Sequence, residues 1–222
     1  SFTIVQDSVL TAIWTPIDYT ISYDSDGGTT PPNSFTKQID QSFEVGSAVS
    51  KPGYNFTGWK AGSITVGAGA TVVTGSSNIS YTAQWSAKVY RISYDWNGGR
   101  GTAVSDVDYT FGTSAITLPL VGDRVRTNYT FGGWSTTASG TSVGLTYTPS
   151  VSTTLYAVWT LNQYVITYNG NAANVSNTSA TYTAGSSALT LPAVTRAGFV
   201  FNGWYSSSSG GSLIGQAGAS YL

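Results

Sequence analysis

The sequence predicts a mainly β protein with little or no helix, laid out as a tandem array of modules of roughly 70 residues. Three observations predict it. A block of the form Trp-x4-Tyr-x-Ile-x-Tyr occurs three times: Trp14 with Tyr19, Ile21 and Tyr23; Trp85 with Tyr90, Ile92 and Tyr94; Trp159 with Tyr164, Ile166 and Tyr168. Its tryptophans lie 71 and 74 residues apart, which is the period of the array. Large apolar groups at every second position fit one face of a strand, and no amphipathic helical pattern competes with them.

The period divides the chain. Residues 1–16 read as the closing strand of a preceding module, or of one in a neighbouring subunit. Residues 17–87 form the first module, 88–161 the second, and 162–222 a third that lacks its closing strand. Only four residues separate each closing Trp from the next opening strand, so successive modules should abut.

Each element has its own justification. Ser8–Trp14, Asn78–Trp85 and Thr154–Trp159 alternate apolar with polar and end on Trp, as a half-buried closing strand does. The opening strands run into Asp24-Ser-Asp-Gly-Gly28, Asp95-Trp-Asn-Gly-Gly99 and Asn169-Gly-Asn171, pairs that favour the positive φ of tight turns. A second strand is expected at Ser42–Val45, Val107–Phe111 and Ala180–Thr183, with Gly46, Gly112 and Gly185 marking the next turn. The block Lys51-Pro-Gly-Tyr54-Asn-Phe56-Thr-Gly58-Trp59 recurs at Arg126–Trp134 and Arg196–Trp204. It reads as a strand whose aromatics face the core, with the Gly before Trp59, Trp134 and Trp204 permitting a bulge or a close backbone approach. The basic residue at its head is placed to lie over an aromatic face. Ser/Gly/Thr-rich stretches after it read as variable loops. At most a single helical turn is expected, near Val121–Arg126.

Tyr-x-Ile-x-Tyr leading to Asn-Gly-Gly, then Gly-Tyr-x-Phe-x-Gly-Trp, then Leu-Tyr-Ala-x-Trp resembles the Listeria–Bacteroides repeat, to which the B-repeat of internalin-type surface proteins belongs. The likeness covers nearly the whole chain. Ala12-Ile-Trp14 lacks the preceding Tyr, and Gly170 is not followed by a second Gly. The resemblance implies small β-grasp-like modules in tandem on a secreted or cell-surface protein, acting as stalk, spacer or adhesin segment. It carries over no binding residue.

Composition narrows the function. Charged residues make up 9% of the 222 residues, and the net charge is −1. A nucleic-acid partner, which needs a basic patch, is not expected. At 41% hydrophobic the chain has the means to fold. No apolar run is long enough to span a membrane. Nothing at the N-terminus has the layout of a signal peptide, so one would have been removed or lie upstream. A Ser-, Thr-, Gly- and aromatic-rich composition without Cys fits an extracellular or cell-surface setting. Modules this small have thin cores and no disulfide to staple them, so Tyr and Trp are expected inside. The core set is therefore Tyr19, Ile21, Tyr23, Trp59, Trp85, Tyr90, Ile92, Tyr94, Trp134, Trp159, Tyr164, Ile166, Tyr168 and Trp204.

No catalytic, metal or cofactor-binding residue is assigned. The chain has no His and no Cys, which removes Ser-His-Asp and Cys-His catalysis and zinc sites built on those ligands. Asp24 and Asp26 match part of a calcium loop, but a plain hairpin turn accounts for them. Gly67-Ala-Gly69 lacks the strand-to-helix setting of a nucleotide fingerprint. Leu118-Pro119 and Leu191-Pro192 look structural. Asn55, Asn78, Asn128, Asn174 and Asn177 head Asn-x-Ser/Thr triplets, several of which so much Ser and Thr gives by chance. Lys37, Lys51, Lys60 and Lys88 all lie in or beside the first module, so a repeated isopeptide cross-link is impossible. Three functions stay open: a non-enzymatic structural segment, a head-to-tail filament subunit that donates its N-terminal strand to an identical neighbour, and a glycan-binding adhesin module that stacks sugar rings on Trp59, Trp134 and Trp204; the partners open to it are neighbouring repeats, identical subunits, and a host or surface glycan or protein.

Overall fold

The computed structural model of the chain describes Asp7 and residues 9–221. Among these residues every regular element is a strand. The turn expected near Val121–Arg126 is a single hydrogen-bonded turn, the Arg124 N–H donating to the Val121 carbonyl at 3.0 Å.

The first repeat holds β1 (Asp18–Asp24), β2 (Phe35–Gln38), β3 (Ser42–Glu44), β4 (Tyr54–Ala61), β5 (Ile64–Val66), β6 (Thr71–Val73) and β7 (Ile79–Ala87). Five of them form one sheet in the order β2-β1-β7-β4-β5, while β3 pairs with β6 in a small second ladder. The closing strand β7 is thus interior to the sheet. It pairs parallel to β1, from Ile21 opposite Ile79 to Asp24 opposite Thr82. It pairs antiparallel to β4, from Tyr54 opposite Ala87 to Lys60 opposite Thr82.

The second repeat copies this plan with β8 (Val89–Asp95), β9 (Val107–Thr110), β10 (Ile116–Thr117), β11 (Tyr129–Ser135), β12 (Thr146–Tyr147) and β13 (Thr153–Leu161). Its main sheet runs β11-β13-β8-β9, with β13 parallel to β8. The third repeat holds β14 (Gln163–Thr167), β15 (Asn174–Val175), β16 (Ser179–Thr183), β17 (Leu189–Thr190), β18 (Val194–Thr195), β19 (Trp204–Tyr205), β20 (Leu213–Gly215) and β21 (Ser220–Tyr221), joined only in two-stranded ladders. Among the described residues no strand stands between β14 and β19, the place that β7 and β13 fill in the other copies.

Residues cluster into two compact units that do not follow the repeat boundaries. The first takes in the chain to Arg91 together with Asp108–Ser114 and Thr148–Ser152; the second takes in Ile92–Val107, Ala115–Tyr147 and Thr153 onward. The break expected between residues 87 and 88 is therefore not a boundary of packing. One end of the second repeat packs with the first.

A bulge sets the core. Between Phe56 and Gly58 the β4–β7 register slips by one residue, and the same slip falls between Phe131 and Gly133. In a regular strand, residues three apart face opposite sides. The extra residue turns Phe56 and Trp59 to the same side, their rings 5.3 Å apart and edge-on; Phe131 and Trp134 repeat this at 5.6 Å. Glycine is needed there: Gly58 and Gly133 have φ of 145° and 114°, and a Cβ on Gly58 would fall 2.7 Å from the Val66 carbonyl oxygen. Trp59 is 0% exposed, packed with Ile21, Tyr23, Phe43, Val45 and Tyr81. Trp134 is 1% exposed, packed with Ile92, Leu118 and Leu155.

Four sequence expectations need correction. A strand does form at Ser42–Glu44, but it is the third; the second, which pairs with β1 and aligns with Val107–Thr110 and Ala180–Thr183, is Phe35–Gln38. The turn after it is made by Asp40 at φ 63°, where Gly112 and Gly185 stand at 85° and 82°; Gly46 lies elsewhere. Tyr164 is 47% exposed and no core residue. Pairing with the closing strand begins only at Ile21 and Ile92, so the first tyrosine of each motif overhangs the core, and Tyr19 and Tyr90 are half-buried. Of the expected N-terminal strand, residues 1–6 and Ser8 lie outside the described residues. Residues 9–17 pair with nothing as a strand, and Val9, Leu10, Ile13 and Trp14 are exposed.

Two outcomes are expected. Trp134→Ala should cost about 3–5 kcal/mol in denaturant unfolding, as loss of a large buried ring does. Burial pushes the Tyr23 and Tyr81 hydroxyls above their ordinary value. A raised folded-state pKa gives stability that is whole below the unfolded value of about 10 and lost as pH rises through the folded one. The Tyr94 hydroxyl is raised as well, so a spectrophotometric titration should show three phenols ionising late, coincident with alkaline unfolding.

Candidate functional site

The residues that recur with fixed partners form an aromatic clasp at the mouth of each repeat. It starts with an Asx turn. The Asp24 carboxylate accepts the Asp26 N–H at 2.9 Å, Asp95 accepts that of Asn97 at 2.7 Å, and the Asn169 side-chain oxygen accepts that of Asn171 at 2.9 Å. The side-chain oxygen holds the backbone so that Asp26, Asn97 and Asn171 take positive φ of 46°, 49° and 49°. The acidic residues that matched part of a calcium loop are thus turn-formers.

The basic residue of the second block closes over this turn. Lys51 Nζ donates to the Asp26 carbonyl at 2.7 Å, and one guanidinium nitrogen each of Arg126 and Arg196 donates to the Asn97 and Asn171 carbonyls at 3.2 Å. The same cations lie over rings three residues on: Lys51 is 5.1 Å from the Tyr54 centroid, Arg126 4.1 Å from Tyr129, Arg196 4.0 Å from Phe199. One side chain thus ties the head of the core strand to the turn after the opening strand.

The closing tryptophans complete the clasp and are half-buried, not interior. Trp85 Nε1 donates to the Ser25 carbonyl at 3.3 Å, and Trp159 Nε1 to that of Trp96 at 2.7 Å. Glycine makes the room. A Cβ on Gly28 or Gly99 would come within 2.7 Å and 2.5 Å of the indole of Trp85 or Trp159. The third copy has Ala172 and Ala173 at the places of Gly27-Gly28 and Gly98-Gly99. Ala172 carries the strain of φ 67°.

The inner tryptophans bind the next turn. Trp59 Nε1 donates to the Gly46 carbonyl at 2.9 Å, Trp134 to Pro119 at 2.7 Å, and Trp204 to Pro192 at 3.0 Å. This explains the Leu-Pro pairs: Leu118 and Leu191 are buried, and the proline carbonyl anchors the indole. It also decides the fate of the second tyrosine of each motif. The Gly46 N–H donates to Tyr23 Oη at 2.9 Å. Proline has no N–H to offer. Buried Tyr168, whose repeat has Pro192 there, is left with a hydroxyl that has no partner among the described residues. Tyr94, in the repeat with Pro119, is half-buried; burial and then the nearby Asp106 carboxylate push its hydroxyl up.

The remaining expected core residues fall where the clasp puts them. Ile21 and Ile92 are 0% exposed, and Ile166 and Trp204 are half-buried in the third copy, where an open cleft is walled by Arg196, Phe199, Phe201 and Trp204. Trp59 and Trp134, buried and with their indole N–H groups engaged inside, present no face for a sugar ring. Among the described residues no group of three or more acidic side chains is placed to hold a metal ion, and no helix is long and apolar enough to cross a membrane.

The profile of the Listeria-Bacteroides repeat domain matches residues 19–84, 90–158 and 164–216, the three repeats described above. Two relatives come from Evansella cellulosilytica. One, named "Putative membrane protein", is 30% identical over 178 residues, which is 76% of this chain and 25% of that protein. The other, named "Putative Gly-rich membrane protein", is 29% identical over 210 residues, 90% of this chain and 23% of the relative. The chain spans about a quarter of the length of these curated relatives.

The two tyrosine hydroxyls should respond oppositely to deletion. Tyr23→Phe removes the acceptor of a backbone N–H and should cost about 1–3 kcal/mol. Tyr168→Phe removes a hydroxyl without a partner and should be neutral or stabilising, by equilibrium unfolding.

Proposed function

This chain belongs to the Listeria-Bacteroides repeat family, and from that premise we propose that it is a non-enzymatic, tension-bearing spacer of a surface-displayed repeat protein. One observation carries the reading. In the first and second repeats the strand by which the chain enters lies parallel and hydrogen-bonded to the strand by which it leaves. Tension on the two ends pulls such strands past each other along their length. The ladder bonds are then loaded together in shear instead of being unzipped singly. Short connections suit a load-bearing array as well. One residue, Lys88, joins β7 to β8, and one, Asn162, joins β13 to β14. Surface display draws support from the low-charge, cysteine-free composition and from relatives named as membrane proteins. The central parallel pair also supports a β-grasp-like reading of each repeat, with loops where such folds carry a helix.

A second reading, a filament subunit that donates its N-terminal strand, draws support from exposed Val9, Leu10, Ile13 and Trp14 and from the edge of β14 that is unpaired among the described residues. It must contend with Ala173, whose methyl stands where glycine admits Trp85 and Trp159. A donated Trp14 would have to seat differently. Deleting residues 1–14 should abolish assembly if this reading holds, and polymers unchanged by that deletion would sink it. The glycan-adhesin reading has lost its platform at Trp59 and Trp134 and keeps only half-buried Trp204; on the spacer reading a saccharide titration followed by Trp fluorescence shows no change, and a change lost in Trp204→Phe would restore the adhesin.

The spacer reading is tested by pulling the chain from its ends in single-molecule force spectroscopy. Each of the first two repeats should rupture in one step and release roughly 230–260 Å, the extended length of about 71 residues. Ser80→Pro puts a proline within β7, opposite Ser22 of β1, and should lower the force for the first repeat alone. Gradual extension at low force, unaffected by Ser80→Pro, would overturn the reading.

A further inference from the structure

We infer that neighbouring repeats recognise each other through a knob and a socket whose sizes must match, so that the array carries a code for which repeat follows which. The socket is the left-handed residue at the head of the core strand: Gly53 at φ 80°, Asn128 at 65°, Gly198 at 79°. The knob is the residue at the tip of the turn after the second strand of the next repeat. The turns Gln38–Gln41, Thr110–Thr113 and Thr183–Ser186 each close with a backbone hydrogen bond of 3.0–3.2 Å. They place Ile39, Phe111 and Ala184 at equivalent tips.

The joint between the first and second repeats shows the fit. The Lys88 N–H donates to the Gly53 carbonyl at 2.9 Å, and the Phe111 N–H donates to the Lys88 carbonyl at 2.9 Å. This short relay sets the knob over the socket. The Phe111 ring stacks edge-on against Tyr54 at 5.4 Å and 78°. It also lies so close over Gly53 that a Cβ there would overlap the ring. Glycine at 53 is therefore required twice, by its φ and by its neighbour. The second joint keeps the first bond of the relay, with the Asn162 N–H donating to the Asn128 carbonyl at 2.8 Å. There both sizes are exchanged: the socket has a side chain, Asn128, and the knob has shrunk to Ala184. Asn is among the few residues that tolerate a left-handed φ, so the socket can hold it once no ring covers it. A large knob goes with glycine and a small knob with asparagine. By this rule the socket of Gly198 and Phe199, where a Cβ meets nothing within 4 Å, fits a repeat with a large apolar residue at its turn tip.

The test uses the full chain and reads amide hydrogen exchange at the relay N–H groups, which reports local opening. Phe111→Ala and Gly53→Asn should each speed exchange at Lys88 by about tenfold, and G53N/F111A should exchange more slowly than G53N alone. At the second joint Ala184→Phe should speed exchange at Asn162, and N128G/A184F should return it to the wild-type rate. Rescue by N128G/A184F upholds the code even if Gly53→Asn fails to fold. Effects that simply multiply at the second joint, with no rescue, overturn it.

Discussion

The structure depends on one local distortion, the glycine bulge in the core strand. Without it Phe56 and Trp59 would face opposite sides of the sheet, and one large ring per repeat would stand in water. With it, Phe56, Trp59 and Trp85 make a run of edge-on rings, and Phe131, Trp134 and Trp159 make the same run in the next copy. A module of roughly 70 residues has too little volume for a conventional aliphatic core. Packing tryptophans edge to face on one side of a single sheet is how this chain removes enough apolar surface from water without a disulfide. Positive φ and a backbone carbonyl 2.7 Å from any added Cβ leave glycine as the residue for position 58.

From that distortion the rest of the clasp follows in order. The tryptophan it turns inward aims its indole N–H at a carbonyl just beyond the small β3 ladder or its counterparts, which fixes the second layer against the first. The closing strand, central in the sheet, carries the second tryptophan to the turn after the opening strand. The basic residue locks the same turn from the other side. The recurring contacts of the basic residue and of the tryptophans are therefore ties between elements that the core has already brought together. This is why these residues recur with the core and the loops between them do not.

The copies differ where a neighbour changes, and the differences go in pairs. Proline for Gly46 frees a tyrosine hydroxyl, Ala173 stands where the other copies open a space for indole, and Asn128 accompanies a small Ala184. Such paired change marks positions where shape complementarity is satisfied locally, at van der Waals distance. A tandem array needs this, because each repeat finds its stabilising neighbours along the chain.

Much was legible in the residues alone. The period, the opening strands, the bulge glycines, the basic residue over its ring and the burial of Trp59 and Trp134 are local or alternating features, and alternation is a property of the chain itself. Other features were not legible. Phe35–Gln38 lacks an apolar alternation, and its turn uses Asp40 where the other copies use glycine, so only the ladder to β1 identifies it. The exposure of Tyr164 and the half-burial of Trp85, Trp159 and Trp204 depend on where a partner strand stops. The relay from Gly53 through Lys88 to Phe111 joins residues far apart in sequence that share no motif. The sequence by itself determined that this is a β-strand array with an aromatic interior, because side-chain periodicity and glycine's conformational freedom act residue by residue. Which strands pair, which rings are capped and how one repeat meets the next were decided only by tertiary structure, because those contacts require two distant segments to occupy adjoining space.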